Sequence, residues 1–209
     1  MGADRRSGNR REHVLKAALT VFATFGYRKT SMDAVARAAD ISRPGLYFLF
    51  ADKEELFRET MRHALDGALR DVREALAAPD LPVDRRLVNA LDAYLGRHVG
   101  THISEGVDAL LEQDQLDSMY DDYRELFISA LAEAVMAAEE PTGPVTPRQI
   151  AEVLHAAATG WKHRVAGRTE FTGMLASAVS VALRQDLQSG VPVTSGRRPG
   201  QQRPNSVVD

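Results

Sequence analysis

The fold of this chain is decided by residues 30–57, which read TSMDAVARAADISRPGLYFLFADKEELF. Apolar residues recur at helical spacing in two short blocks, and each block follows a hydroxyl side chain that can cap a helix. Thr30 with Asp33 predicts a capping box before the first block, and Ser42 with Pro44 predicts the start of the second. Two short helices joined by a tight turn form a helix-turn-helix pattern.

A longer helix is predicted on each side of this pattern. The preceding segment predicts a helix from Arg11 to Phe25, which ends at Gly26. The following segment predicts a helix of roughly 25 residues, for which Asp52 and Glu55 give the cap signal. The first helix and the two short helices then form a small head, and a larger body begins along the long helix.

The body is predicted to be helical throughout, because its apolar residues keep helical spacing and no strand pattern occurs. Thr146, Pro147 and Gln149 combine an N-cap, a proline in the first turn and a capping-box glutamine. We predict the body helices at residues 83–100, 104–112, 115–139, 147–166 and 169–188. The fold class is therefore all-α, with about nine helices in total.

Composition limits the function classes. The chain has 209 residues, of which 44% are hydrophobic and 26% charged, as in a soluble globular protein. It contains no cysteine, which excludes disulfides, thiolate metal sites and a cysteine nucleophile. We expect a cytoplasmic protein with neither a secretory signal nor a membrane span, because no run of about 18 apolar residues occurs.

The charge is unevenly distributed along the chain. Residues 1–50 contain nine lysines and arginines against four acidic residues, a net charge of +5, although the whole chain carries −3. The remaining 159 residues therefore carry −8. A basic head on an acidic body favours contact between the head and a polyanion, while a solvated basic helix is the alternative.

The second short helix presents side chains suited to reading DNA. In a helix-turn-helix unit, the first residues of the second helix reach base edges in the major groove. Arg43 can donate two hydrogen bonds to guanine, Pro44 can contact a thymine methyl group, and Gly45 allows close backbone approach. Tyr47 and Lys53 can reach phosphates.

From Arg11 to Phe57, about 47 residues, the sequence resembles the DNA-binding domain of the TetR family of transcriptional regulators. The resemblance rests on five motifs: Ala17-Ala18 with Phe22, Gly26-Tyr27-Arg28-Lys29-Thr30-Ser31, Val35-Ala36, Ile41-Ser42-Arg43-Pro44-Gly45-Leu46-Tyr47-Phe48-Leu49-Phe50, and Lys53-Glu54-Glu55-Leu56-Phe57. The body resembles the family only in the number and length of its helices.

This resemblance implies a set of DNA contacts. Phosphate contacts are expected from Thr30, Tyr47 and Lys53. The positions expected to face the groove are Ser42, Arg43, Pro44, Gly45 and Phe48, and Ser31 is a further DNA-binding candidate. Two positions depart from the family pattern, since Gly45 replaces a common threonine, serine or alanine, and Leu49 replaces a common histidine or tyrosine. We therefore expect less base reading at Gly45 and one phosphate contact fewer at Leu49.

The resemblance also implies the domain organisation and the function. We expect a flexible basic arm at 1–9, a helix-turn-helix DNA-binding domain at 10–57 and a ligand-binding and dimerisation domain at 58–189. The tail at 190–209 is expected to be disordered because it has too few apolar residues to fold. Such a protein is expected to be a homodimer, joined through its last two long helices, that binds a palindromic double-stranded DNA operator. A small-molecule effector, apolar or aromatic, is expected to release this repressor because the fourth helix swings its head, so that the two recognition helices no longer match successive grooves.

The last two helices are rich in small residues, which allow close helix approach between chains or within one chain. A ligand pocket is expected within the body, under the long fourth helix. The bulky or polar-tipped candidates for its lining are Tyr94, His98, Met119, Tyr120, Tyr123, Phe127 and Trp161.

Other functions are less well supported by the sequence. His98, His102 and Glu105 could be taken for a metal site, but Gly100 weakens the helix and two histidines form an incomplete ligand set. A helical enzyme would need a catalytic motif, and the sequence contains no phosphate-binding glycine loop, nucleophile elbow or HExxH. A nonspecific nucleic-acid coat protein is disfavoured by the acidic body. We expect no cofactor, no metal and no enzymatic activity.

Overall fold

The structure is a computed structural model that describes residues 2–96, 99, 117–138 and 145–183. These residues form helices and connecting turns without any strand, which confirms the all-α fold. The helices are α1 (Gly2–Lys29), α2 (Met32–Ala38), α3 (Arg43–Leu49), α4 (Lys53–Leu76), α5 (Val83–Leu95), α6 (Asp117–Ala138), α7 (Pro147–Trp161) and α8 (Arg168–Leu183). The helix predicted at 104–112 and the tail predicted at 190–209 lie outside the described residues.

The first helix begins earlier than predicted. It includes residues 2–9, which we expected to form a flexible arm. This segment contains no proline, so every residue in it keeps the backbone N–H that a helix needs. Gly26 has φ 74° and ψ 165°, a conformation that favours glycine, and it breaks the helix where the sequence predicted an end.

The cap of α2 differs from the prediction. Ser31, not Thr30, is the N-cap, and its hydroxyl oxygen accepts a hydrogen bond from the backbone N–H of Ala34 at 3.2 Å. Thr30 is only 3% exposed, and its hydroxyl donates to the carbonyl of Gly26 at 2.8 Å. Burial of Thr30 in the turn after α1 therefore leaves the capping position to the next hydroxyl along the chain.

The other predicted helix starts are confirmed. The Ser42 hydroxyl accepts from Gly45 N–H at the start of α3, and the Asp52 carboxylate accepts from Glu55 N–H at 2.8 Å at the start of α4. Thr146 caps α7 in the predicted capping box. These caps satisfy N–H groups that have no partner within their own helix.

Two body helices are shorter than predicted. Helix α5 ends at Leu95, five residues before Gly100, and Gly96 is its C-cap. Helix α7 ends at Trp161, after which residues 162–167 form a turn. The sequence predicted an end at Gly167, but the chain already leaves the helix after Trp161, and Val165 in the turn is partly buried against the body core.

Two hydrophobic cores hold the described residues together. The head core joins α1, α2, α3 and the start of α4, with Phe22 and Phe57 packed edge to face at 4.8 Å between ring centroids. The body core is built by α5 to α8 and the later part of α4. Helix α4 thus belongs to both cores. None of the described helices is both long enough and apolar enough to span a bilayer.

Candidate nucleic-acid interface

Helix α3 is anchored on one side and exposed on the other. Leu46 and Phe50 are fully or almost fully buried in the head core. Its opposite face leaves Phe48 89% exposed and Tyr47 42% exposed, and Arg43 and Pro44 beside them are also exposed. Covering these aromatic side chains with another surface would remove apolar area from water, which is energetically favourable. This face is therefore the candidate interface.

Arg43 is the only charged residue of α3, and it has partners within the head. Its Nε lies 3.2 Å from Oδ1 of Asp33, and its Nη1 donates to Oδ2 of the same carboxylate at 3.4 Å. The guanidinium also lies 5.7 Å from the ring centroid of Tyr47. The Tyr47 hydroxyl and, less strongly, the Asp33 charge raise the pKa of Arg43, so its side chain stays charged.

A side chain larger than that of glycine would be tightly packed at position 45. A Cβ atom at this position would lie 3.0 Å from the Ser42 hydroxyl that caps α3 and 3.3 Å from Nη2 of Arg10. The departure from the family pattern at Gly45 therefore coincides with the approach of an arginine from α1. Arg10 is exposed beside the start of α3, and it was not among the predicted interface residues.

Thr30 and Lys53 are engaged inside the head. The Lys53 ammonium donates to the carbonyls of Tyr27 at 3.1 Å and Thr30 at 3.2 Å, and it lies 4.3 Å from the Tyr27 ring centroid. The Thr30 hydroxyl donates its hydrogen bond to the carbonyl of Gly26. These contacts hold the turn after α1, and the phosphate contacts expected from Thr30 and Lys53 stay predictions. Ser31 is exposed, although its oxygen caps α2.

Two residues of α1 that were not predicted hold the helix-turn-helix unit in place. Nη1 of Arg11 donates to the carbonyl of Leu49 at the end of α3 at 2.8 Å, and its guanidinium lies 4.3 Å from the Phe50 ring centroid. A ring nitrogen of His13 lies 3.2 Å from the carbonyl of Ala39 at the end of α2. Local periodicity carries no signal for such contacts, which span 38 and 26 residues.

The predicted ligand-binding residues lie in different parts of the structure. Tyr94 and Phe127 stack in the body core with ring centroids 4.1 Å apart. Met119 and Tyr120 pack instead against the head core, because α6 begins beside it. Tyr123 is half-buried between α6 and α4, and Trp161 lies at the outer surface of α7 and α8. His98 lies outside the described residues.

His155 joins the aromatic pair in the body core and was not predicted there. Its ring centroid is 5.9 Å from that of Phe127 and 6.5 Å from that of Tyr94. Burial lowers the pKa of His155 and raises the pKa of Tyr94, so both side chains are favoured in their neutral forms. The predicted pocket lining remains a prediction.

The described residues contain no group of three or more side chains arranged to hold a metal ion. His98, His102 and Glu105, weighed above as a metal site, lie outside those residues.

A groove of 680 Å³ runs along the outer surface of α7 and α8. Val153 and Val181 in this groove are 64% and 67% exposed, respectively. Small residues, among them Ala157, Gly173 and Ser177, form much of the remaining lining. The groove therefore presents exposed apolar side chains and several small residues that would let another helix approach closely.

Comparison with known proteins assigns the head to one family. The sequence model of "Bacterial regulatory proteins, tetR family" matches residues 14–60. The chain is 37% identical over 87 residues to the uncharacterized HTH-type transcriptional regulator YhgD of Bacillus subtilis, a match that covers 42% of this chain and 45% of YhgD. The chain therefore spans less than half the length of this curated relative.

Two further comparisons extend into the body. The chain is 28% identical over 159 residues to the HTH-type transcriptional repressor Rv1474c of Mycobacterium tuberculosis, covering 63% of this chain and 85% of that protein. A TetR-like transcriptional regulator from Rhodococcus sp. RHA1 superposes with a TM-score of 0.56 and 28% identity, covering 83% of this chain and 95% of its own. The head of this chain therefore matches the tetR family of bacterial regulatory proteins, and the chain as a whole is similar to two transcriptional regulators.

Proposed function

We propose that this protein is a ligand-responsive, sequence-specific DNA-binding transcriptional regulator that acts as a repressor. The exposed face of α3 is the observation that carries this proposal. Its aromatic and arginine side chains project from a helix whose other side is fixed by Leu46 and Phe50. Such a rigid helix can enter the major groove and place Arg43 against a guanine edge.

Charge supports DNA as the partner of this face. The first 50 residues carry a net charge of +5, to which Arg10 contributes an exposed guanidinium beside the start of α3. Contacts from such side chains to phosphates would release counterions from the duplex, so binding should weaken steeply as salt rises. The acidic body would be repelled from DNA and would therefore face away from the duplex in the complex.

The groove on α7 and α8 supports a homodimer. Its exposed valines and small residues would be buried if the same helices of a second copy packed against them. A twofold dimer presents two α3 helices in opposite directions, which suits a palindromic operator. We therefore propose a four-helix interface made of α7 and α8 from each chain.

An effector is proposed to act through α4, which belongs to both cores. A ligand that binds one arrangement of the body more tightly would favour the α4 position of that arrangement. Because α3 and the start of α4 contribute to the same head core, the spacing between the two α3 helices of a dimer would then change. The largely apolar body core favours a small apolar or aromatic effector.

The proposed function can be tested by measuring binding to the promoter DNA next to the gene across a salt series. We expect a steep salt dependence and preference for one palindrome. Replacing Arg43 with alanine should relax preference at one base position by about 1 to 3 kcal/mol. Absence of DNA binding at low salt would refute the proposal, and a reporter gene placed behind the palindrome would show whether binding lowers or raises transcription.

A further inference from the structure

The ion pair between Arg43 and Asp33 opposes the attraction of the candidate interface for DNA. Asp33 lies in the first turn of α2, and its carboxylate reaches across to the only charged side chain of α3. Both side chains are more than half exposed, at 61% for Arg43 and 52% for Asp33. An exposed pair of this kind contributes at most about 1 kcal/mol to stability. The helix dipole favours an acidic residue in the first turn of α2, but it does not require the carboxylate to reach Arg43.

The geometry leaves Arg43 able to read a base while it is paired. A guanidinium has five N–H donors, and the Asp33 carboxylate lies against Nε and Nη1. The donors that remain suffice for the two hydrogen bonds of an arginine–guanine contact. Asp33 and the stacked Tyr47 ring also restrict the rotamers of Arg43, which lowers the entropy cost of that contact.

The two kinds of acceptor on DNA respond differently to the nearby carboxylate. O6 and N7 of guanine are neutral acceptors, whereas each phosphate is negatively charged. If Arg43 moved to a phosphate, the Asp33 carboxylate would either lose its partner or lie close to a like charge. Pairing with Asp33 therefore penalises the phosphate contact more than the guanine contact.

We propose that Asp33 is a positioning residue that holds Arg43 for base reading and suppresses its use in nonspecific phosphate binding. This inference rests on the proposed DNA-binding function. Asp33 would thereby increase discrimination between sequences, while its negative charge lowers the total affinity of the protein for DNA.

The test compares the full chain with Asp33→Asn, which removes the charge at nearly constant shape, and with Asp33→Ser as a second variant. Asp40→Asn is the matched control, because it removes one negative charge from the same head at an exposed position. Each protein is titrated with the palindromic duplex, with the same duplex altered at the guanine that Arg43 reads, and with an unrelated duplex. Thermal denaturation confirms that every variant is folded.

We expect Asp33→Asn to bind the unrelated duplex about tenfold more tightly and to lose about tenfold in guanine discrimination. The slope of log affinity against log salt should steepen by about 0.9, as for one additional phosphate contact. Asp40→Asn should change neither discrimination nor the slope to this extent. In an Arg43→Ala background, Asp33→Asn should have no effect on discrimination.

Equal effects of Asp33→Asn and Asp40→Asn would overturn the inference, because the charge of the head alone would then explain them. Unchanged discrimination in folded Asp33→Asn and Asp33→Ser proteins would also overturn it. In both cases the unaltered chain would still prefer the palindrome, so the proposed function would stand. Failure of the unaltered chain to prefer any duplex would refute the proposed function and this inference together.

Discussion

The Tyr123 hydroxyl donates a hydrogen bond to a carboxylate oxygen of Asp66 at 2.5 Å. Tyr123 lies near the start of α6 and Asp66 lies in the middle of α4. Two residues nearby on α6, Met119 and Tyr120, pack against the head core. The start of α6 therefore touches both the head and the long helix that joins the head to the body.

Replacing Tyr123 with phenylalanine should lower the free energy of unfolding by about 1 kcal/mol, because a hydrogen bond to a charged acceptor is lost while the ring is retained. Chemical denaturation at neutral pH measures this change. An unchanged free energy of unfolding in Tyr123→Phe would show that this hydrogen bond does not stabilise the fold.

The stabilisation from Tyr123 should also depend on pH. Burial and, to a smaller extent, the bond to Asp66 raise the pKa of Tyr123 to about 12 from its ordinary value of 10.0. A raised folded-state pKa means that the stabilisation is complete below pH 10 and is lost as the pH rises toward 12. The difference in unfolding free energy between the unaltered chain and Tyr123→Phe should therefore shrink over this range. A constant difference would contradict the assignment.

The turn of the helix-turn-helix unit depends on Asp40, the only non-glycine residue of positive φ among the described residues, at 49°. Asp40→Val should destabilise the head by about 1–2 kcal/mol, because a β-branched residue fits this left-handed conformation poorly. Asp40→Gly should cost little, because glycine adopts positive φ without strain. Denaturation midpoints of the two variants measure the contrast, and equal destabilisation by both would show that lost side-chain contacts are responsible.

Adjacent arginines in α1 should have separable effects. Arg11→Ala removes the hydrogen bond to Leu49, the contact with the Phe50 ring and an ion pair with Glu59, so it should lower the melting temperature and weaken binding to all duplexes alike. Arg10→Ala should leave the melting temperature almost unchanged and reduce the salt dependence of DNA binding. Melting curves and salt titrations of the two proteins decide the matter, and an unchanged melting temperature for Arg11→Ala would contradict this role.

The sequence predicted the features that depend on neighbouring residues. Ser42, Asp52 and Thr146 cap helices as expected, because each bonds to an N–H three residues along the chain. Thr30 failed as a cap because packing of the turn buries it, and periodicity cannot show which of two consecutive hydroxyls is buried. The Arg11 contact with Leu49 and the packing of α6 against the head join distant segments, so they required the three-dimensional structure.

The proposed dimer interface gives a prediction that does not depend on DNA. Val181 is 67% exposed in the groove of α7 and α8, and a second copy packed there would bury it. Val181→Asp would place a charge in that interface, so we expect it to shift the protein from dimer to monomer in sedimentation experiments. Leu81→Asp is the matched control, because Leu81 is also exposed but precedes α5, outside the groove. A monomeric unaltered chain, or equal dissociation by both variants, would exclude this interface. If Val181→Asp alone dissociates the dimer, the Val181→Asp protein should bind the palindrome more weakly than the unaltered chain does, because two linked heads bind more tightly than one. Its affinity for a single half-site should be unchanged.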